Sequence, residues 1–211
     1  MTEKDQQHDV KEAVRAAVKS GTDVHQQIKD ITLTALTKRQ LDMENIKSVT
    51  EAVGNGINEG LANQGERSKE VFIQAATALD DALAMAAEAS KLAIEEAASR
   101  VADYSQHDFN DAIKDLQDME GSFLGTLEKI AKGSNQVVAD IVSDFVAHTG
   151  QSGTAVGKQS LIALEALKNL PQISKEIIVS GTVGTVSTLA QIGSGILLGI
   201  AESLKSSSSK K

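Results

Sequence analysis

The sequence predicts an all-α protein: an elongated helical bundle with a long antiparallel helical hairpin and an apolar C-terminal helix. Three observations carry this expectation. Proline occurs once in 211 residues, at Pro171, so a fixed φ and a missing N–H interrupt the chain almost nowhere. Alanine-rich, strongly patterned stretches recur along it, as long helices require. Aromatic residues are only 2% of the chain, so the core would be built from Ala, Val, Leu and Ile.

Four segments follow from the pattern: residues 1–65 as short amphipathic helices, 66–150 as the long helical hairpin, 151–204 as an apolar helical hairpin, and 205–211 as a disordered Ser/Lys tail. Val10, Val14, Ala17 and Val18 follow helical spacing up to Gly21, which ends the first helix. Thr22 or Asp23 can cap the next, which carries Val24, Ile28, Ile31, Ala35 and Leu36. The pattern loosens at Arg39 to Asp42, a turn. A third helix places Ile46, Val49, Val53, Ile57 and Leu61 on one face. There Ala52, Gly56 and Gly60 form a small-xxx-small row, which reads as a tight helix–helix contact. A phosphate cradle would need a preceding strand, and none is visible.

From Glu66 to Tyr104 no Gly or Pro interrupts the longest helix. Phe72, Ala76, Leu79, Leu83, Ala86, Ser90, Ile94, Ala97 and Val101 step by four and three. Phe72, Leu83 and Ile94 recur at eleven residues, a period of about 3.67 per turn that keeps the stripe nearly straight. Lys69, Asp80, Asp81, Lys91, Glu95 and Arg100 form the opposite, solvated face. Ser105 to Asp108 reads as a break and N-cap. The following helix holds Phe109, Ile113, Leu116, Phe123, Leu127, Ile130, Val137, Ile141 and Phe145. Gly150 to Gly157 is a linker. A short helix carrying Leu161, Ala163, Leu164, Leu167 and Leu170 closes at Pro171.

The segment Ile177–Ala201 has no charged residue, in a chain where 24% of residues are charged. As a helix it would be about 37 Å long, enough to cross about 30 Å of hydrocarbon, but Gln191 and its hydroxyls dilute the apolar signal. Its two faces differ. Ser180, Gly184, Ser187, Gly195 and Gly199, with Gln191, form a small stripe suited to helix packing. Ile178, Val186, Leu189, Ile192, Ile196, Leu197 and Ile200 form an aliphatic face, the candidate contact with a lipid surface. Buried inside a bundle, the same face would be ordinary core.

The runs DVHQQIKDITLTALTKRQLD (23–42), AMAAEASKLAIEEAASRVADYSQHD (84–108) and GSGILLGIAESL (193–204) resemble an uncharacterised proteobacterial family of all-helical proteins. That resemblance covers most of the chain and brings no activity with it. In composition and helix style the chain is also similar to phasins, the coat proteins of polyhydroxyalkanoate granules. No phasin motif matches residue by residue, so the likeness implies a surface-coating role without assigning a site.

The search for chemistry excludes more than it offers. With no cysteine, thiolate catalysis, disulfides and Cys-based metal sites are ruled out. None of His8, His25, His107 and His148 belongs to a Glu-x-x-His pair, so a ferritin-like di-metal site is not expected. Asp144 and His148 supply too few ligands for a metal. Asp108, Asp111, Asp115 and Asp118 form an acidic ridge without EF-hand spacing and read as solvated charge. Tyr104, His107 and Asp108 lack the nucleophile and pocket that a relay needs. No catalytic residue, cofactor or metal is expected.

Net charge is −8. Beyond Gly150, six Lys face three Glu, a net of +3, which leaves −11 for residues 1–150. An acidic, aromatic-poor body argues against nucleic acid as a partner. The polar N-terminus lacks the apolar core of a secretory signal, so a cytoplasmic location is expected, peripheral to a membrane or granule if the aliphatic face is used outside the protein. Three roles fit: an amphipathic coat or adaptor on a lipid or hydrophobic polymer surface, a soluble homo-oligomeric helical scaffold, or a membrane-inserting protein of the pore-forming or tail-anchored kind.

Overall fold

A computed structural model describes residues 3–62, 64–99, 106–168 and 188–208, which are helical nearly throughout and contain no strand. Helix α1 (Glu3–Ser20) stops at Gly21, whose φ of 61° reverses the chain. Arg67 Nη2 donates to the Gly21 carbonyl at 2.8 Å and closes that end. Helix α2 (Val24–Thr37) has Asp23 at its N-cap position without a side-chain capping bond. After a turn, Asp42 caps α3 (Met43–Leu61), its carboxylate accepting from the Asn45 N–H at 2.9 Å.

Helices α1 and α3 run parallel and very close. A Cβ placed on Gly56 would lie 2.6 Å from the Lys11 carbonyl oxygen, and one on Gly60 would lie 2.5 Å from Val18 Cβ. The small-xxx-small row is therefore a helix–helix seam, which only residues without a side chain permit at this distance. Ile46, Val49, Val53, Ile57 and Leu61 are all buried on the neighbouring face of α3.

A 3-10 turn (Gly65–Arg67) leads into α4 (Ser68–Ala98), the central element, which touches α2, α3 and every later helix. The whole expected stripe from Phe72 to Ala97 is buried; Val101 lies outside the described residues. Because helices surround α4, alanines off that stripe, such as Ala75, Ala82 and Ala93, are buried too.

Asp80 corrects the sequence expectation, since only 6% of it is exposed. Its two carboxylate oxygens accept the backbone N–H groups of Ala155 (2.7 Å) and Val156 (2.8 Å). Those are the first donors of α7 (Ala155–Lys168), left without intrahelical partners like those of any helix start. Thr154 Oγ1 takes the next, Gly157 N–H at 2.9 Å, and donates its own proton to Glu120 Oε1 at 2.6 Å. The expected linker is thus a tight capped turn, with Gly153 at a φ of 77°.

The helix expected from Phe109 to Phe145 is two helices, α5 (Gln106–Gly133) and α6 (Gln136–Ser152). Asn135 Oδ1 accepts the Val138 N–H at 3.0 Å and starts α6 afresh. The break shifts the phase of the apolar stripe: Val138 is 3% exposed and Val137 62%. Phe145 reaches Phe72 of α4 edge-on, with ring centroids 5.6 Å apart at 87°. On α7, Ala163 and Leu167 point inward while Leu161 and Ile162 stand in solvent.

The last described helix, α8 (Thr188–Ser208), packs chiefly on α4 and α2. It runs through Ser208, into the segment expected to be a disordered tail.

Candidate functional site

The aliphatic face of α8 decides how it sits. Leu189, Leu197 and Ala201 are buried, and Ile196 and Ile200 pack half-buried against the same core. Ile192 is also half-buried. The small stripe is turned the other way: Gly195 and Gly199 are exposed, and a Cβ on either would meet nothing within 4 Å. Among the described residues of α8, helix packing therefore uses the aliphatic face, while Gly195 and Gly199 of the stripe expected to pack face water. Ile178, Ser180, Gly184, Val186 and Ser187 lie outside the described residues.

Gly193 is the buried glycine of α8, although the faces drawn from the sequence did not include it. A Cβ there would lie 3.5 Å from Leu41 Cβ and 3.8 Å from Ala93 Cβ. Polar tethers flank it: the Leu41 N–H donates to the Ala190 carbonyl at 3.0 Å. Ser194 Oγ lies 2.5 Å from the Arg39 carbonyl and 2.8 Å from the Ala190 carbonyl, so one proton serves two acceptors. The turn between α2 and α3 supplies the polar tethers of α8, whose seat lies on α4 and α2. Leu198 and Leu204 remain exposed on its outer side.

The other side of that turn borders a cavity of about 520 Å³ between α1, α2 and α3. Val10 and Ala13, Ile31 and Ala35, and Val49 and Ala52 give it an apolar lining from all three helices. Lys38 and Arg39 line one end, and Asp9 and Asp30 line it further along α1 and α2. Sequence periodicity could not locate this hollow; alanines at three positions facing one another are its only trace.

The acidic ridge also differs in part from its expected role. Asp115 is half-buried and accepts the Met43 N–H at 3.1 Å, serving the first turn of α3. Burial pushes its carboxyl up to about 6, against the pull of the Met43 N–H, with Asp42, Asp111 and Asp118 raising it further. Burial raises Asp80 as well, opposed by its two backbone donors. Both acids bond to helix starts and not to each other. Asp144 and His148 are exposed, and Tyr104 lies outside the described residues. Among those residues no group of three or more His, Asp or Glu could hold a metal ion, and no helix is long and apolar enough to cross a membrane.

No curated protein and no solved structure matches the chain. One family, described as a family of unknown function, matches residues 1–206. The chain belongs to that family, DUF6781.

Proposed function

We propose that the protein is a non-enzymatic amphipathic helical coat or adaptor for a lipid or hydrophobic polymer surface, and that α8 is the element that changes partners. The observation behind this reading is the character of the α8 seat. Apolar contact holds the helix there, together with the Leu41–Ala190 and Ser194–Arg39 hydrogen bonds. Aliphatic area gains a similar free energy against another helix or against hydrocarbon, about 25 cal/mol per Å² in either setting. Exchange then costs those polar tethers and the exposure of the apolar seat on α4 and α2, which the same surface must cover as α8 leaves it. Leu198 and Leu204, already exposed on the outer side, give a first foothold.

A disulfide tests this directly. The Cβ separation of 3.8 Å between positions 93 and 193 matches that of a disulfide, and the chain has no other cysteine. The oxidised Ala93→Cys/Gly193→Cys variant should stay in the soluble fraction with anionic phospholipid vesicles, and reduction should let it float. Flotation of the oxidised form would refute exchange by α8. Flotation of neither form would favour a second reading, a helical scaffold with α8 permanently docked, which draws its support from the burial of Leu189 and Leu197 within the bundle.

A further inference from the structure

We propose that the cavity between α1, α2 and α3 binds an amphipathic carboxylate, its head at Lys38 and Arg39 and its alkyl chain along Val10, Ile31 and Val49. The inference is independent of the role given to α8. At about 520 Å³, the space falls within the range of pockets that enclose small organic ligands. All three helices give it aliphatic lining residues, and Gln6, Gln7 and Thr34 line it as well as the charged groups.

The cationic end is the organised one. Arg39 is half-buried, and its Nη1 donates to Ser48 Oγ at 3.1 Å and to Asn45 Oδ1 at 3.4 Å. Ser48 Oγ in turn accepts from Gln7 Nε2 at 2.6 Å. Side chains following α2 and on α1 and α3 thus fix a guanidinium at one end of the hollow, with Lys38 beside it. A planar guanidinium suits a carboxylate. At the other charged positions Asp9 is exposed, and Asp30 accepts from Gln26 Nε2 at 3.0 Å. Asp30 lies eight residues before Lys38, about 12 Å along α2 at about 1.5 Å per residue. A chain of medium length spans that distance with its head at Lys38, and a second anion at the far end is repelled.

Calorimetry on the full chain, with decanoate below its micelle concentration and decylammonium as the matched cation, tests the assignment. Decanoate should bind at one saturable site and raise the melting temperature. Lys38→Glu, at an exposed position, should weaken decanoate about tenfold or more through loss of a charge-assisted contact. Ala13→Phe, which fills part of the lining, should block binding, with a cooperative thermal unfolding transition showing that the variant is folded. Equal or tighter binding of decylammonium, no saturable decanoate binding, or decanoate affinity unchanged in Lys38→Glu would each overturn the proposal.

Discussion

Replacing Gly56 by alanine sets two effects of one methyl group against each other. Inside a helix, Gly to Ala gains about 1 kcal/mol from backbone propensity. At Gly56 the new Cβ would sit 2.6 Å from the Lys11 carbonyl oxygen and 2.8 Å from Val14 Cβ, where ordinary contact begins at 3.4 Å. Neither neighbour is the end of a flexible side chain, so relief requires α1 itself to move by about 0.6–0.8 Å, the shortfall in those distances. Overpacking against a rigid partner costs about 3 kcal/mol. The net loss is then about 2 kcal/mol, a fall in melting temperature of about 4–8 °C for a chain of this size. Gly121→Ala is the control, because that exposed glycine of α5 has nothing within 4 Å of an added methyl; it should raise the melting temperature by about 2–4 °C. Both variants are compared by thermal unfolding at one pH and salt. If Gly56→Ala were as stabilising as Gly121→Ala, the close seam between α1 and α3 would be wrong.

Three further outcomes follow from other contacts. Asp115 is raised from 3.8 to about 6 in the folded protein, so the stability it contributes at low pH is lost as pH rises through that window. Asp115→Asn should therefore gain about 1 kcal/mol on the wild type between pH 4 and pH 7, after discounting for a half-exposed carboxyl; parallel urea titrations would show it. Asp80→Ala removes both acceptors from the start of α7 and should cost about 2 kcal/mol, with faster amide exchange at Ala155 and Val156 and a smaller loss in Asp80→Asn. Ser194→Ala should leave global stability nearly unchanged but weaken the hold on α8 by about 1 kcal/mol, seen as roughly fivefold faster exchange of the Leu41 amide.

The stripe of α4 was legible because its spacing of four and three, recurring at eleven, keeps one face aligned for many turns. The turn at Arg39 to Asp42 was legible for the opposite reason, a loss of pattern. Asp80 was not, since its partners are backbone N–H groups about 75 residues away, and backbone donors leave no mark in a sequence. Asp115 reads as solvated charge for the same reason, since its partner is the Met43 N–H. The break before α6 did leave a signal: Asn135, three residues ahead of Val138, is an N-cap residue following Gly133. Missing it carried Val137 into the stripe. For α8, periodicity separated an aliphatic face from a small one but not which of them meets the bundle. Either can pack on a helix, and the choice rests on Leu41 and Ala93 opposite Gly193, which no local pattern records.

Residues 38–42 show how closely the two candidate surfaces lie. Lys38 and Arg39 line the cavity with their side chains, while the Arg39 carbonyl and Leu41 N–H hold α8 and Asp42 starts α3. A five-residue turn that serves a cavity, a helix start and a docking seat cannot shift at one of them without disturbing the others, because the backbone units between them are shared. An occupant that fixes the Arg39 guanidinium also restrains the carbonyl of that residue, and hence the seat of Ser194. Such coupling needs only a difference in the occupant's affinity between docked and released α8, and it acts equally in both directions. Decanoate affinity compared between the oxidised and reduced Ala93→Cys/Gly193→Cys variant, without vesicles, would therefore report the coupling, and equal affinities would refute it.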